Sequence, residues 1–72
     1  MTYDSIDELV LDSVNKTRPM PEREFWERLE RNGKRGNAMI LIPQIEGACK
    51  RLIREGKLNF VTEGGVKKIV RT

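Results

Sequence analysis

Apolar positions divide this chain into three helical stripes and one alternating tail. In "SIDELVLDSV", Ile6, Leu9, Val10 and Val14 recur at i, i+3, i+4 and i+8, so a helix over about 5–16 carries one apolar stripe. Asp7, Glu8 and Asp12 lie away from it. Ser5, three residues before Glu8, forms a capping box in which each side chain can satisfy a backbone N–H of the first turn. Leu11 falls off the stripe, where it meets a partner, packs beneath a loop or is simply exposed. "TRPM" then breaks the pattern. Pro21 suits the first position of a second helix, about 21–32, with Glu22 and Glu24 near the positive end of its dipole and Asn32 and Gly33 as its stop. Phe25, Trp26 and Leu29 form its buried edge, although Trp26 could instead offer a stacking face to a base.

"KRGNAMILIP" is harder to read. A helix running from Asn37 through "AMILI" would carry Pro43 in its interior, at a cost of about 3 kcal/mol, and proline also disfavours helical backbone at the preceding Ile42. A break at Ile42 follows, with an inserted turn over about 33–42 and a third helix over about 43–55. In that helix Ile45, Ala48, Cys49, Leu52 and Ile53 share one face, while Gly47, Lys50, Arg51 and Arg54 share the other. Cys49 reads as a small buried hydrophobe. Gly47 is unusual, because a mid-helix glycine costs roughly 1 kcal/mol relative to alanine; on an exposed face it suits the close approach of another backbone.

"KLNFV" and "VKKIVR" alternate with the period of strands around "TEGG", where Gly64 and Gly65 supply the positive φ of a tight hairpin turn. A hairpin over about 57–71 with that turn sets Phe60 opposite Ile69 and puts Leu58 on the same face. Lys67, Lys68 and Arg71 then gather on a projecting ribbon, whose simplest role is edge protection against aggregation. The expected single core contains Ile6, Leu9, Val10, Val14, Phe25, Leu29, Ile45, Cys49, Leu52, Ile53, Leu58, Phe60 and Ile69.

Charge adds an asymmetry that the apolar pattern does not contain. Residues 1–16 carry a net −3, residues 17–32 balance, and residues 33–72 carry +6. A basic second half suits a polyanion, or is a solvated face. With 72 residues there is room for one domain. No apolar run is long enough for a membrane span, and the acidic "MTYDSIDELV" lacks a signal-peptide pattern, which predicts a cytoplasmic chain. For the same reason "NKT" at Asn15 to Thr17 reads as a chance glycosylation match. One cysteine and no histidine exclude an internal disulfide and the usual zinc sites, and they remove the histidine base of nucleophilic triads. "NGKRGN" lacks P-loop spacing. The chain therefore reads as no enzyme, without a cofactor, metal or evident small-molecule ligand.

The order of helix, helix, basic amphipathic helix and glycine-tipped hairpin resembles the winged helix-turn-helix superfamily, most specifically over "IEGACKRLIREGKLNFVTEGGVKKIV". Ile45, Cys49, Leu52 and Gly56, followed by Leu58, match that family's pattern of a recognition helix leading into a wing. The turn between the second and third helices is longer here than the family's usual few residues. The resemblance implies a mainly α, α+β fold: three helices with a C-terminal two-stranded β-hairpin wing. It also implies double-stranded DNA as partner, with the third helix in the major groove. Gln44 and Lys50 would then face bases, beside Gly47 at the close approach, while Arg51 and Arg54 would meet the backbone. Lys34 and Arg35 from the long turn and Lys67, Lys68 and Arg71 from the wing would meet phosphates. Such a module would serve as a small transcription regulator or an architectural factor. A homodimer reading two half-sites is consistent with so few contacts. The alternative is a protein-docking module of a larger assembly, since fold does not determine function.

Overall fold

The computed structural model describes residues 4–36 and 41–72. Among them it has three helices and a three-stranded antiparallel sheet: α1 (Ile6–Asp12), β1 (Met20–Pro21), α2 (Glu22–Arg35), α3 (Ile42–Arg54), β2 (Leu58–Glu63) and β3 (Val66–Arg71). None of these helices is long and apolar enough to cross a membrane.

Ser5 opens α1 from extended backbone, its hydroxyl accepting from the Glu8 N–H at 3.2 Å. The returning arm of the expected box shifts by one residue: the Glu8 carboxylate accepts from the Asp4 N–H at 3.2 Å. The helix stops at Asp12 rather than running to residue 16. Ser13, fully buried, turns its hydroxyl back onto the Leu9 carbonyl at 2.8 Å and accepts from the Asn32 side-chain amide at 3.1 Å. A serine bonded to the carbonyl four residues back offers the chain an alternative to another helical turn. Val14 stays in the core although it lies beyond the helix.

The segment read only as a break contains a strand. Met20 pairs with Ile69 and Pro21 with Lys68, which makes β1 the edge of a sheet ordered β1-β3-β2. An edge tolerates proline, which has no N–H to offer a ladder. Pro21 accordingly caps α2 from extended backbone (φ −57, ψ 143) instead of opening it. Met20, absent from the expected core, is fully buried.

Asn32 and Gly33 do not end α2. Gly33 continues the buried stripe of Phe25 and Leu29 at the next four-residue step, and Asn32 is engaged by Ser13, so both residues serve helix packing. The helix ends at Arg35, with the Gly36 N–H donating to the Asn32 carbonyl at 3.0 Å. Residues 33–35 of the expected inserted turn are thus helical, and residues 37–40 of it lie outside the described residues. At the other end Leu41 is extended and Ile42 begins α3, one residue ahead of the expected start. Pro43 occupies the first turn, where a missing N–H breaks no helical bond.

Helix α3 closes on a left-handed glycine. Gly56 (φ 76) donates to the Ile53 carbonyl at 3.0 Å, and Lys57 donates to the Leu52 carbonyl at 2.9 Å. These two bonds are the Schellman arrangement, which satisfies carbonyls that the helix end leaves open. The hairpin register agrees with the sequence reading: Phe60 faces Ile69, and Gly64 (φ 57) and Gly65 (φ 78) form the turn. Leu58 and Ile69 seal the core, into which α1 sends Leu9 and Val10, α2 sends Phe25 and Leu29, and α3 sends Ile45, Ala48, Cys49 and Leu52. Ile6, Leu11, Trp26 and Phe60 pack partly buried against it, which gives Leu11 a packing role. Ile53 does not join them: it is 37% exposed.

Candidate nucleic-acid interface

Four of the thirteen α3 residues, Ile45, Ala48, Cys49 and Leu52, are held in the core, which fixes the directions of the others. Opposite that buried stripe, Pro43, Gly47, Lys50 and Arg54 follow one another at helical four-, three- and four-residue steps. Lys50 and Arg54 are exposed and make no ion pair among the described residues. A Cβ added at Gly47 would meet only the end of the Arg51 side chain, at 3.7 Å. Nothing among the described residues requires glycine there, so the outer line of α3 dips at its middle.

Gln44 and Arg51, seven residues apart, lie on the flank toward α1. The Arg51 guanidinium donates to Asp7 Oδ1 at 2.7 Å, tying α3 to α1. That hydrogen bond and the nearby negative charge raise the Arg51 pKa above its already high ordinary value. Gln44 and Lys50, expected together at base edges, are about 120° apart around the helix axis. The outward line therefore contains Lys50 and not Gln44. Glu46 and Ile53 lie on the other flank, toward the hairpin.

On that flank α2, α3 and the hairpin enclose a groove of about 260 Å³. Phe25, Trp26, Ile53 and Phe60 give it apolar walls, and Glu22, Glu46, Lys50 and Lys67 rim it. Trp26 meets Phe25 edge to face, with ring centroids 5.7 Å apart, which favours its packing role over that of a free stacking platform. Cys49 lies at the base, its thiol pKa raised first by burial and then by the carboxylates of Glu22, Glu46 and Asp7, which keeps it protonated and unreactive.

The wing cations are arranged differently from the expected ribbon. Period two places Lys67 and Lys68 on opposite faces of β3. Lys67 lies over the Phe60 ring, 4.4 Å from its centroid, with Glu22 Oε2 at 3.8 Å. Lys68, half-buried, contacts Glu63 Oε1 at 3.1 Å. Arg71 stands half-buried at the foot of the hairpin, opposite Leu58, far from the Gly64–Gly65 tip. Lys34 and Arg35 are on the last turn of α2 and not in a loop, and Lys34 is paired with Glu30 at 3.5 Å.

Sequence reading missed a second concentration of charge. Arg28, Arg31 and Arg35, with Asn32 and Asp12, line a polar concavity of about 250 Å³ between α1 and α2. Its signal was present in the three-, four-residue spacing of the arginines, but residues 17–32 are neutral in net charge, which concealed it. Comparison with family models, with curated proteins and with solved structures finds no match to this chain.

Proposed function

We propose that the chain is a winged helix-turn-helix module that binds double-stranded DNA, acting in the cytoplasm as a small transcription regulator or architectural factor. In this reading α3 enters the major groove and the hairpin rests on the backbone or the adjacent minor groove. One observation carries it: the outermost line of α3 presents Lys50 and Arg54, unpaired among the described residues, around the dip at Gly47. A cation without a carboxylate partner exchanges its counterions for phosphates at no cost of a broken ion pair. The glycine admits a backbone that a longer side chain would hold off. Lys50 contacts a base edge, Arg54 a phosphate, and Arg51 reaches DNA only by leaving Asp7.

Fluorescence anisotropy on a selected and a scrambled duplex, over a salt series, tests the reading. Binding with a salt slope of about −0.9 per phosphate contact is the expected result. No binding to either duplex at low salt removes it.

A second reading, a protein-docking module, is favoured by exposed apolar residues: Leu41 at 44%, Ile42 at 58% and Ile53 at 37%. The same surface would support a homodimer on DNA. Sedimentation with and without one duplex site separates these cases. A monomer in both conditions removes the dimer and leaves DNA binding intact.

A further inference from the structure

The arginine-lined concavity between α1 and α2 is not used by the interface just described. Arg28, Arg31 and Arg35 project along one edge of α2, on the flank opposite Glu22 and Trp26, which face the α3 groove. None of these arginines lines the α3 groove.

The concavity is built on side chains that are already fixed. The Arg28 guanidinium donates to Asn15 Oδ1 at 2.6 Å and to Glu24 Oε1 at 3.3 Å. Asn32 is held by the buried Ser13 hydroxyl. Beside them Arg31 and Arg35, one helical turn apart, are exposed and make no ion pair among the described residues. Counting Glu24, which meets Arg28, and Asp12, which lines the concavity, against Arg28, Arg31 and Arg35 leaves a net charge of one positive unit. That offsets the charge of one phosphodiester. A planar guanidinium fork fits two phosphate oxygens at once, which a lysine cannot do.

We infer that Arg31 and Arg35, on the floor made by Arg28 and Asn32, form a second phosphate-backbone site, so that one molecule holds two duplex segments at once. This rests on the DNA-binding reading of α3. It assigns the protein a bridging role that a single recognition helix does not provide, and it favours the architectural over the regulatory form of that reading.

The test uses one duplex immobilised on beads and a second, labelled duplex in solution, with the whole chain added. Wild type is expected to retain the labelled duplex. The double variant Arg31→Gln, Arg35→Gln is expected to bind a single duplex within about twofold of wild type but to retain the second about tenfold less, its salt slope falling by about 0.9 for each phosphate it no longer neutralises. Circular dichroism checks that the variant is folded. Equal retention by the variant overturns the inference, because bridging would then come from dimers. Single-duplex binding without retention of the second also overturns it, leaving α3 binding intact. Binding of neither duplex overturns both readings. In a separate arm, inorganic phosphate is titrated while the arginine Nε–H resonances are followed. Shifts at Arg31 and Arg35 without duplex retention identify a small-anion site and reject the backbone site.

Discussion

The outer line of α3 and the two faces of the hairpin contain similar numbers of cations, yet they differ in how those cations are held. Lys50 and Arg54 make no ion pair among the described residues, whereas Lys67 lies on Phe60 near Glu22 and Lys68 lies against Glu63. A charge count along the chain treats them alike. The structure distinguishes charge that is available to a ligand from charge already engaged inside the protein, although exposed pairs of this kind are individually weak. The free cations belong to a helix anchored by four core residues, and the engaged ones to a ribbon whose tip is exposed.

The largest effects should come from the core that anchors both regions. Leu52→Ala should destabilise by about 2–5 kcal/mol in urea unfolding, a large fraction of the stability of so small a domain. Ile53→Ala, its neighbour on the exposed groove wall, should cost much less. Similar losses for the two would mean that α3 is seated in a different register.

Next comes the contrast between the two sets of cations. Lys50→Ala with Arg54→Ala should weaken duplex binding and lower the salt slope by about 0.9 for each phosphate given up, and Lys50→Ala alone should reduce preference for a selected site by roughly 1–3 kcal/mol. Lys67→Ala with Lys68→Ala should weaken selected and scrambled duplexes alike, and by less. Anisotropy on both duplexes checks this. Equal losses for the two pairs would erase the distinction between free and engaged charge.

Gly47→Ala separates stability from binding. The space at Gly47 accepts a methyl group, so unfolding should show a gain of up to about 1 kcal/mol, while duplex affinity should fall as the dip on α3 is filled. A gain in both would show that the dip has no ligand.

The smallest effect is expected at the tie between α1 and α3. Asp7→Asn releases Arg51 to the solvent, which should raise duplex affinity slightly and steepen the salt slope by about 0.9. An unchanged slope would mean that Arg51 does not reach the phosphates even when freed.

How much of this could be read from the chain depends on the range of each interaction. The hairpin register was legible because Gly64 and Gly65 set the turn locally and strict alternation did the rest. The seating of α3 was legible because five apolar positions recur at helical spacing, although Ile53, at the edge of that stripe, went to the groove. What escaped was non-local. The Ser13 hydroxyl that turns back onto Leu9 at the end of α1 also holds Asn32 in the overrun of α2, nineteen positions away. Strand β1 is two residues long, too short to show a period, and exists only because β3 is beside it. The candidate interface was half legible: residue type and face were readable for Lys50 and Arg54, but the carboxylates that hold Arg51, Lys67 and Lys68 lie on partners chosen by the fold.

Strand β1 also sets how the hairpin breathes. Among the described residues it pairs with Ile69 and Lys68 alone, so β3 is flanked on both sides at its middle and on one side toward the tip. Amide hydrogen exchange should therefore be graded along the ribbon, slow around Phe60 and Ile69, where opening requires the core to open as well, and fast from Thr62 to Lys67, where a local opening suffices. The doubly paired middle would act as a hinge. A tip that opens without unfolding the domain can follow the contour of whatever surface α3 meets, while the helix that it flanks stays rigid.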